Sequence, residues 1–407
     1  MNDVVIVGGG QAAMQTVDSL RREGFEGSIT LVSEEPHLPY QRPPLSKKFL
    51  SGELDEERLF FRPEDFYTLR GVTLMLGTRV AEIDRIGTVV RTEDGGTVPY
   101  DALVLAVGAR VRQLPVPGAD LPGVHYLRTL DDSRSIAVEL AGTARVCVIG
   151  GGFIGLEVAA VCREMGKEVT VVETGDRLMA RAVSPMISDY YRDYHTAKGV
   201  EILTGTTVTE ITGEARVERV CFADGASRSA ELVVVGIGIE PNTELATAVG
   251  IECDNGIVVD DHCRTSDPRV FAIGDCSNHP NPYLGRRVRL ESVQNAVDQA
   301  RVAAANIAGR EMTYREVPRF WSDQYDLKLQ MAGICSGYDD LVIRGSRSEH
   351  KFSVFYFSGN HLVAIDSINR PADHMAGRKL LAAGAELSPE KAADESENLK
   401  NLIPSER

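Results

Sequence analysis

Two Gly-rich turns of the same kind constrain this 407-residue chain more than any other feature. Each follows a short apolar strand and opens a helix, as in a dinucleotide-binding βαβ unit. The first glycine permits the tight bend, the second lets the backbone approach a pyrophosphate, and the third small residue lets helix and strand pack closely. The two runs are Val4–Ala13 and Val146–Gly155. Two copies in this context predict two bound dinucleotides, which usually means a flavin and a nicotinamide.

An acidic residue follows the second strand of each predicted unit. Glu34 comes after Ser28–Val32, and Glu173 comes after the strand that starts at Glu168. A carboxylate at this position accepts both ribose hydroxyls of an adenosine and repels a 2′-phosphate. Glu173 therefore favours NADH over NADPH, although Arg177 could argue for the phosphate. The alternative is that both glutamates merely cap surface loops.

Charge and cysteine usage exclude several function classes. The net charge of −15 argues against general affinity for nucleic acids or acidic membranes. No apolar run is long enough to cross a bilayer, and no signal-peptide pattern precedes the first strand, so we expect a cytoplasmic protein. The seven cysteines form no C-x-x-C pair, and none precedes Cys147. This disfavours disulfide and cysteine-based peroxide reduction, and the expected chemistry requires no metal.

The order of elements predicts an α/β chain of three domains, the first of them discontinuous. After the second unit the chain returns to the first domain with a strand ending at Gly274 and a helix over 291–308. Near the C-terminus, Ser353–Phe357 and His361–Ile365 read as a hairpin with a Gly-containing turn. Strands at 329–332 and 341–343 and a helix over 373–383 would complete an antiparallel sheet with a helix on it. The last twenty or so residues are expected to form a loosely held tail with a helical turn. The predicted domains are residues 1–109 with 243–312, residues 110–242, and residues 313–407.

Several longer segments resemble the NADH-dependent ferredoxin reductases of the putidaredoxin-reductase type, which supply bacterial cytochrome P-450 and oxygenase systems. The resemblance runs from the first strand to about Pro371. It implies a glutathione-reductase-like flavoprotein with two Rossmann-like dinucleotide-binding domains, for FAD and NADH, and a C-terminal α+β interface domain. The segments are Arg42–Lys47, Gly150–Glu157, Thr265–Pro268, Ile273–Cys276 and Phe320–Tyr325.

The resemblance also implies which residues contact FAD. Asp275 ends a parallel strand, where a carboxylate can bond the ribityl hydroxyls, although Gly-Asp is also a common strand-to-turn dipeptide. Val293 lies at the start of a helix whose dipole would stabilise the negative charge of reduced flavin. Arg128 alone would more often be a surface charge. The FAD set is Gly8, Gly10, Ala12, Ala13, Glu34, Arg42, Lys47, Val80, Arg128, Gly274, Asp275, Val293 and Trp321.

Lys47 and Glu157 form the sharpest pair that the resemblance implies. The lysine would lie by the reactive flavin edge and pair with the glutamate on the nicotinamide side, where Glu157 could hold the carboxamide. The alternative is an exposed lysine and a helix-face glutamate. Phe153 would cover the flavin and move away for NADH, and Trp321 would lie near the acceptor surface; core packing is the alternative for both. The NADH set is Gly150, Gly152, Ile154, Gly155, Glu157, Glu173 and Gly238.

The implied function is transfer of electrons from NADH through FAD to a 2Fe–2S ferredoxin that supplies a cytochrome P-450. A ferredoxin is acidic, so basic side chains near the flavin edge would steer it. The residues chosen for docking are Arg62, Arg287, Arg301 and Lys328. Gln330 stands where the family has a basic residue, so the patch differs. The alternatives are a rubredoxin reductase or NADH oxidase, and a redox-switched interaction protein resembling apoptosis-inducing factor.

Overall fold

The chain folds into two compact units, each assembled from three chain segments. This computed structural model describes residues 1–404. The chain passes between the units five times: after Gln41, after Asp55, and within the strands Ala109–Val111, Ile239–Pro241 and Arg319–Gln324. The first unit comprises Met1–Gln41, Glu56–Arg110 and Glu240–Phe320, and the second comprises Arg42–Asp55, Val111–Ile239 and the chain from Trp321 onward.

A five-stranded parallel sheet forms the centre of the first unit. Its middle strand, Asp3–Val7, places Val4 and Ile6 in one apolar cluster and Val5 and Val7 in another. Both of its faces are therefore covered, which is what a run of apolar residues in a parallel strand requires. The strand order is Val270–Ala272, Ala102–Leu105, Asp3–Val7, Ser28–Val32 and Val72–Met75.

The other elements of the first unit are two small sheets and a set of helices. Helices Gln11–Arg22 and Val293–Ile307 pack against each other and share one of the two apolar clusters. The small sheets are Val80–Asp84, Val89–Thr92 and Thr97–Pro99, and Ile257–Val258, Ser277–Asn281 and Arg286–Val288. The remaining helices are Glu64–Leu69 and Glu244–Ala248, with 3-10 turns at Glu56–Arg58 and Gly274–Cys276.

The second unit contains a parallel sheet of the same design. Its middle strand, Arg145–Ile149, lies between Glu168–Val172 and Leu232–Val235. The strand order is Val200–Leu203, Glu168–Val172, Arg145–Ile149, Leu232–Val235 and Val124–Tyr126. A small antiparallel sheet consists of Val208–Thr212, Arg219–Phe222 and Ser227–Ser229. The helices here are Leu130–Gly142, Phe153–Glu164 and Pro185–Ala197, with a 3-10 turn at Pro43–Ser46.

The predicted C-terminal hairpin and helix are confirmed. Strands Lys351–Ser358 and His361–Ile368 pair antiparallel across the turn at Gly359, and Pro371–Ala383 is helical. They belong to a five-stranded sheet in the order Arg319–Gln324, Leu327–Gly333, His361–Ile368, Lys351–Ser358 and Asp340–Ser346. Helix Pro389–Ala393 and the 3-10 turn Leu399–Leu402 follow.

The expectation of a loosely held tail is wrong for the chain as far as Pro404, whereas the helical turn expected in it is confirmed at Leu399–Leu402. Arg344 is 5% exposed, and its guanidinium donates to the carbonyl oxygens of Asp394 and, at 2.8 Å, Glu397. Leu399 is buried as well. A buried guanidinium needs acceptors, and here the tail supplies them.

The α/β class with two Rossmann-like sheets is confirmed, whereas the three-domain division stays a prediction.

No helix among residues 1–404 is both long enough and apolar enough to span a bilayer. The cysteines are unpaired, and Cys147 and Cys162 are buried, where they act as small apolar side chains. Burial raises the pKa of each of these two thiols to about 12, so they are poor nucleophiles.

Candidate functional site

The first Gly-rich turn has the geometry of a pyrophosphate cradle. Gly8 has φ +122°, and a Cβ there would lie 2.2 Å from the carbonyl oxygen of Ala106. A Cβ at Gly10 would meet nothing within 4 Å, so the backbone at this residue borders open space. Helix Gln11–Arg22 begins there without a side-chain cap. The arrangement leaves room for a phosphate group at the helix N-terminus.

The second turn repeats this geometry. Gly150 has φ +111°, and a Cβ there would lie 2.3 Å from the carbonyl oxygen of Gly236. Gly152 borders open space and precedes helix Phe153–Glu164, which again has no side-chain cap. A Cβ at Gly155 would lie 2.1 Å from the carbonyl oxygen of Gly150, so helix and turn touch through glycine alone. Both turns therefore fit the diphosphate of a dinucleotide.

The two acids that follow the second strand of each dinucleotide-binding unit, Glu173 and Glu34, have different surroundings. Glu173 accepts the N–H groups of Gly151 and Gly175, each at 2.7 Å, which fixes its carboxylate beside the second turn. Arg177 donates to the carbonyl oxygens of Ala180 and Val183, at 2.7 and 2.8 Å. These acceptors hold its guanidinium; the roles of Glu173 and Arg177 in choosing between NADH and NADPH stay a prediction.

Glu34 is exposed and lies 3.6 Å from Arg79. A surface pair of this kind contributes little to stability. Val80, predicted to contact FAD, is buried at the start of its strand.

The other predicted FAD positions of the first unit lie close to its Gly-rich turn. Gly274 has φ +77°, and a Cβ there would lie 3.4 Å from the Cβ of Ala12. Asp275 therefore follows the strand end directly beside the first helix. Ser292 caps helix Val293–Ile307, because its Oγ accepts the N–H of Asn295 at 3.1 Å. Sequence reasoning missed Gln299, whose buried Oε1 accepts the N–H of Gly274 at 2.7 Å and fixes this bend.

Lys47 and Glu157 are brought together within the second unit. Lys47 Nζ lies 2.7 Å from Glu157 Oε2, and the glutamate is 2% exposed. Ser46 donates to the same oxygen at 2.6 Å, and Ser322 donates to Oε1 at 2.6 Å. A 3-10 turn with proline in its first positions carries Ser46, and Ser133 anchors it through the carbonyl oxygen of Leu45 at 2.8 Å. The carboxylate is thus held by three donors from two distant chain segments.

The remaining predicted site residues of the second unit are placed as follows. Arg42 donates to the carbonyl oxygen of Arg128 at 2.7 Å, so these two lie together. Trp321 is 37% exposed, as a residue near a docking surface would be. Phe153 and Ile154 are the first two residues of the helix that carries Glu157, and Gly238 has φ +104° with the side chain of Arg181 close by.

The four residues chosen for docking differ in the contacts that their side chains make. Arg287 donates to the carbonyl oxygen of Val259 at 2.5 Å, and Arg301 pairs with Asp298 at 3.0 Å. Arg62 lies over the ring of Phe66, and Lys328 is exposed on a strand of the second unit. Their role in docking stays a prediction.

One group of side chains in the first unit, Asp260–His262, has metal-ligand spacing. Asp260 Oδ1 already accepts the N–H groups of His262 and Arg264, at 2.9 and 2.8 Å. Such a turn is common without an ion, and it carries no argument for a metal centre.

Comparison with known proteins agrees with this geometry over the whole chain. The sequence profile of the pyridine nucleotide-disulphide oxidoreductases matches residues 2–300, and that of the reductase C-terminal domain matches residues 319–403. Rhodocoxin reductase of Rhodococcus erythropolis is 50% identical over 401 residues, which are 98% of this chain and 94% of that protein.

Solved structures show the same likeness. The ferredoxin reductase of the CYP199A2 system from Rhodopseudomonas palustris superimposes with a TM-score of 0.97 at 46% identity, covering 99% of this chain and 100% of that one. The covalent putidaredoxin reductase–putidaredoxin complex gives 0.96 at 40% identity, covering 99% and 98%. Members of this family depend on FAD and NAD(H). The chain therefore belongs to the pyridine nucleotide-disulphide oxidoreductases and, within them, to the ferredoxin reductases of the putidaredoxin-reductase type.

Proposed function

We propose that this chain carries electrons from NADH through FAD to a 2Fe–2S ferredoxin that supplies a cytochrome P-450 monooxygenase. One observation carries the proposal: the helix opened by the second dinucleotide turn bears a buried carboxylate, Glu157, paired with Lys47 at 2.7 Å. The names of the relatives support it, since they include reductases of P-450 and oxygenase systems.

FAD held at the first turn would supply the redox chemistry, namely hydride acceptance from NADH and release of single electrons. The chain holds each dinucleotide by its diphosphate at the turns of Gly8 and Gly150. The N-terminus of helix Val293–Ile307, beside Asp275, stabilises negative charge on the reduced flavin. We assign the ribityl hydroxyls to Asp275.

Glu157 holds the carboxamide of the nicotinamide, and Lys47 stabilises the carboxylate through their ion pair. Because Glu157 is almost fully buried, this pair acts in a region of low dielectric, where it is stronger than at the surface. We assign Phe153 and Trp321 to the faces that cover the flavin on the NADH side and the acceptor side.

We propose that the electrons leave for a separate protein, because the sequence has no C-x-x-C pair that could accept them within the chain. No cysteine precedes Cys147 in the sequence. We propose that the acceptor docks near Trp321, with Arg62, Arg287, Arg301 and Lys328 as contributors to its orientation. A cytoplasmic location follows from this role, since NADH is the electron donor there.

The test measures NADH-driven reduction of a small 2Fe–2S ferredoxin, a rubredoxin, oxygen and ferricyanide by the purified holoprotein. We expect fast reduction of the ferredoxin and ferricyanide, with slower reduction of rubredoxin and oxygen. Reduction of ferricyanide without reduction of any 2Fe–2S ferredoxin would overturn the acceptor assignment. Preferred turnover with rubredoxin would identify a rubredoxin reductase instead.

A further inference from the structure

A chain of buried, hydrogen-bonded side chains begins at Oε1 of Glu157, whereas Lys47 binds the other carboxylate oxygen, Oε2. Gln324 Nε2 donates to Ser322 Oγ at 3.1 Å, and His195 Nε2 lies 2.8 Å from Gln324 Oε1. Ser322, Gln324 and His195 are at most 1% exposed. Burying a polar network of this kind costs desolvation energy, which its internal hydrogen bonds offset. It therefore calls for an explanation beyond packing.

The hydrogen bonds of this chain run in one direction. Because Gln324 Oε1 can only accept, His195 Nε2 carries the proton and donates it. The NH2 group of Gln324 then donates to Ser322 Oγ, so the hydroxyl proton of Ser322 is left to donate to Glu157 Oε1. With the amide turned round, the hydroxyl would donate to Gln324 and Oε1 of Glu157 would lose its donor.

The environment of His195 maintains this direction. Burial lowers the pKa of His195, so the ring stays neutral with a single N–H. Its Nδ1 has no hydrogen-bond partner among residues 1–404, and Tyr325 packs edge-on against the ring at 5.1 Å between centroids. Among residues 1–404, the polar contact that orients the ring is therefore the one to Gln324.

We propose that Ser322, Gln324 and His195 are positioning residues for Glu157, aligning its carboxylate for the carboxamide of NADH. This inference rests on the proposed function, because it assigns the nicotinamide to Glu157. Ser46 and Lys47 hold Oε2, and the chain from His195 holds Oε1, so the carboxylate plane is fixed from both sides.

The experiment compares two ligands of the purified holoprotein by titration calorimetry. Tetrahydro-NADH carries the carboxamide but cannot give up a hydride, and ADP-ribose lacks the nicotinamide altogether. Substituting a residue that positions Glu157 should weaken the affinity for tetrahydro-NADH alone. Substituting a residue that merely supports the fold should weaken the affinity for both ligands. The readout is an affinity ratio and does not depend on turnover.

The variants are Ser322→Ala, which removes the donor to Oε1, His195→Leu, which removes the first N–H, and His195→Gln, which keeps an N–H donor at a similar reach. Ser353→Ala is the matched control, because Ser353 is equally buried and donates to another buried carboxylate, Asp373, at 3.1 Å. Thermal unfolding of each variant identifies any that fails to fold, and Ser322→Ala is the smallest change.

We expect Ser322→Ala and His195→Leu to weaken the affinity for tetrahydro-NADH roughly three- to tenfold, which is the effect of one lost hydrogen bond. The affinity for ADP-ribose should not change. His195→Gln and Ser353→Ala should retain the wild-type ratio. Equal weakening of both ligands, or no weakening, would overturn the proposal, and a wild-type ratio in His195→Leu would overturn it for His195. If the wild-type protein does not prefer tetrahydro-NADH to ADP-ribose, the proposed function itself fails.

Discussion

The buried carboxyl group of Asp366 should make the free energy of unfolding depend on pH. It lies on strand His361–Ile368, is 2% exposed, and accepts the hydroxyl proton of Tyr356 at 2.7 Å. The hydroxyl of Ser184 lies 2.9 Å from that of Tyr356. Burial outweighs the hydrogen bond from Tyr356 and raises the pKa of Asp366 from 3.8 to about 7. The neutral acid therefore suits the fold better than the carboxylate does.

The magnitude follows from linkage. Between pH 4 and 7 the unfolded chain has lost the proton of Asp366 while the folded chain keeps it, so the free energy of unfolding falls as pH rises. At about 1.4 kcal/mol per pH unit, the raised pKa of Asp366 lowers the free energy of unfolding by ~4 kcal/mol at pH 7 and above. Asp366→Asn keeps an acceptor for Tyr356 and cannot ionise. We expect it to match the wild type near pH 4 and to exceed it by up to ~4 kcal/mol at pH 8.

The assay is urea unfolding of both proteins at half-unit steps from pH 5 to 8, compared as the difference between the two curves. Asp326→Asn is the control, because the hydroxyl of Tyr194 lowers the pKa of Asp326. Its contribution is present above the ordinary pKa of an aspartate and is lost only in acid, so its difference curve should be flat over this range. Parallel curves for Asp366→Asn and the wild type would refute the reasoning.

Three further changes test other parts of the structure. Thr129→Ala removes the capping box of helix Leu130–Gly142 and should cost about 1 kcal/mol in denaturant unfolding. Gly150→Ala drives a Cβ to 2.3 Å from a carbonyl oxygen and should abolish binding of ADP-ribose, whereas Gly142→Ala, at an open position, should not change it. Arg344→Met removes the donors to the C-terminal segment, so limited proteolysis should cut that segment faster than in the wild type.

The parts of the fold that the sequence predicted are those encoded by local chemistry. The turns at Gly8 and Gly150 demand positive φ and close backbone approach, which few residues other than glycine tolerate. The hairpin around Gly359 follows from two apolar runs on either side of a Gly-containing turn. Such signals need only a few neighbouring residues, so they are visible without the structure.

The parts that the sequence did not predict depend on contacts between distant segments. Ser46 lies 111 positions from Glu157, and Ser322 lies 165 positions from it. Neither serine has a local pattern that marks it as a donor to a buried carboxylate. The tail was misjudged for a similar reason, since its polar composition concealed the carbonyl groups that Arg344 requires.

The second unit therefore combines two kinds of information. The Gly-rich turn that places Glu157 is local, and the donors that hold its carboxylate are assembled only by folding. Removing one partner of a buried charge costs far more than the pair contributes, because the remaining charge stays buried. A buried ion pair is weak evidence of stabilisation, so chemistry is the better reason for Lys47 and Glu157 to be here. The donors at Ser46 and Ser322 let a desolvated carboxylate remain in a fixed place, as the proposed contact with a nicotinamide carboxamide requires.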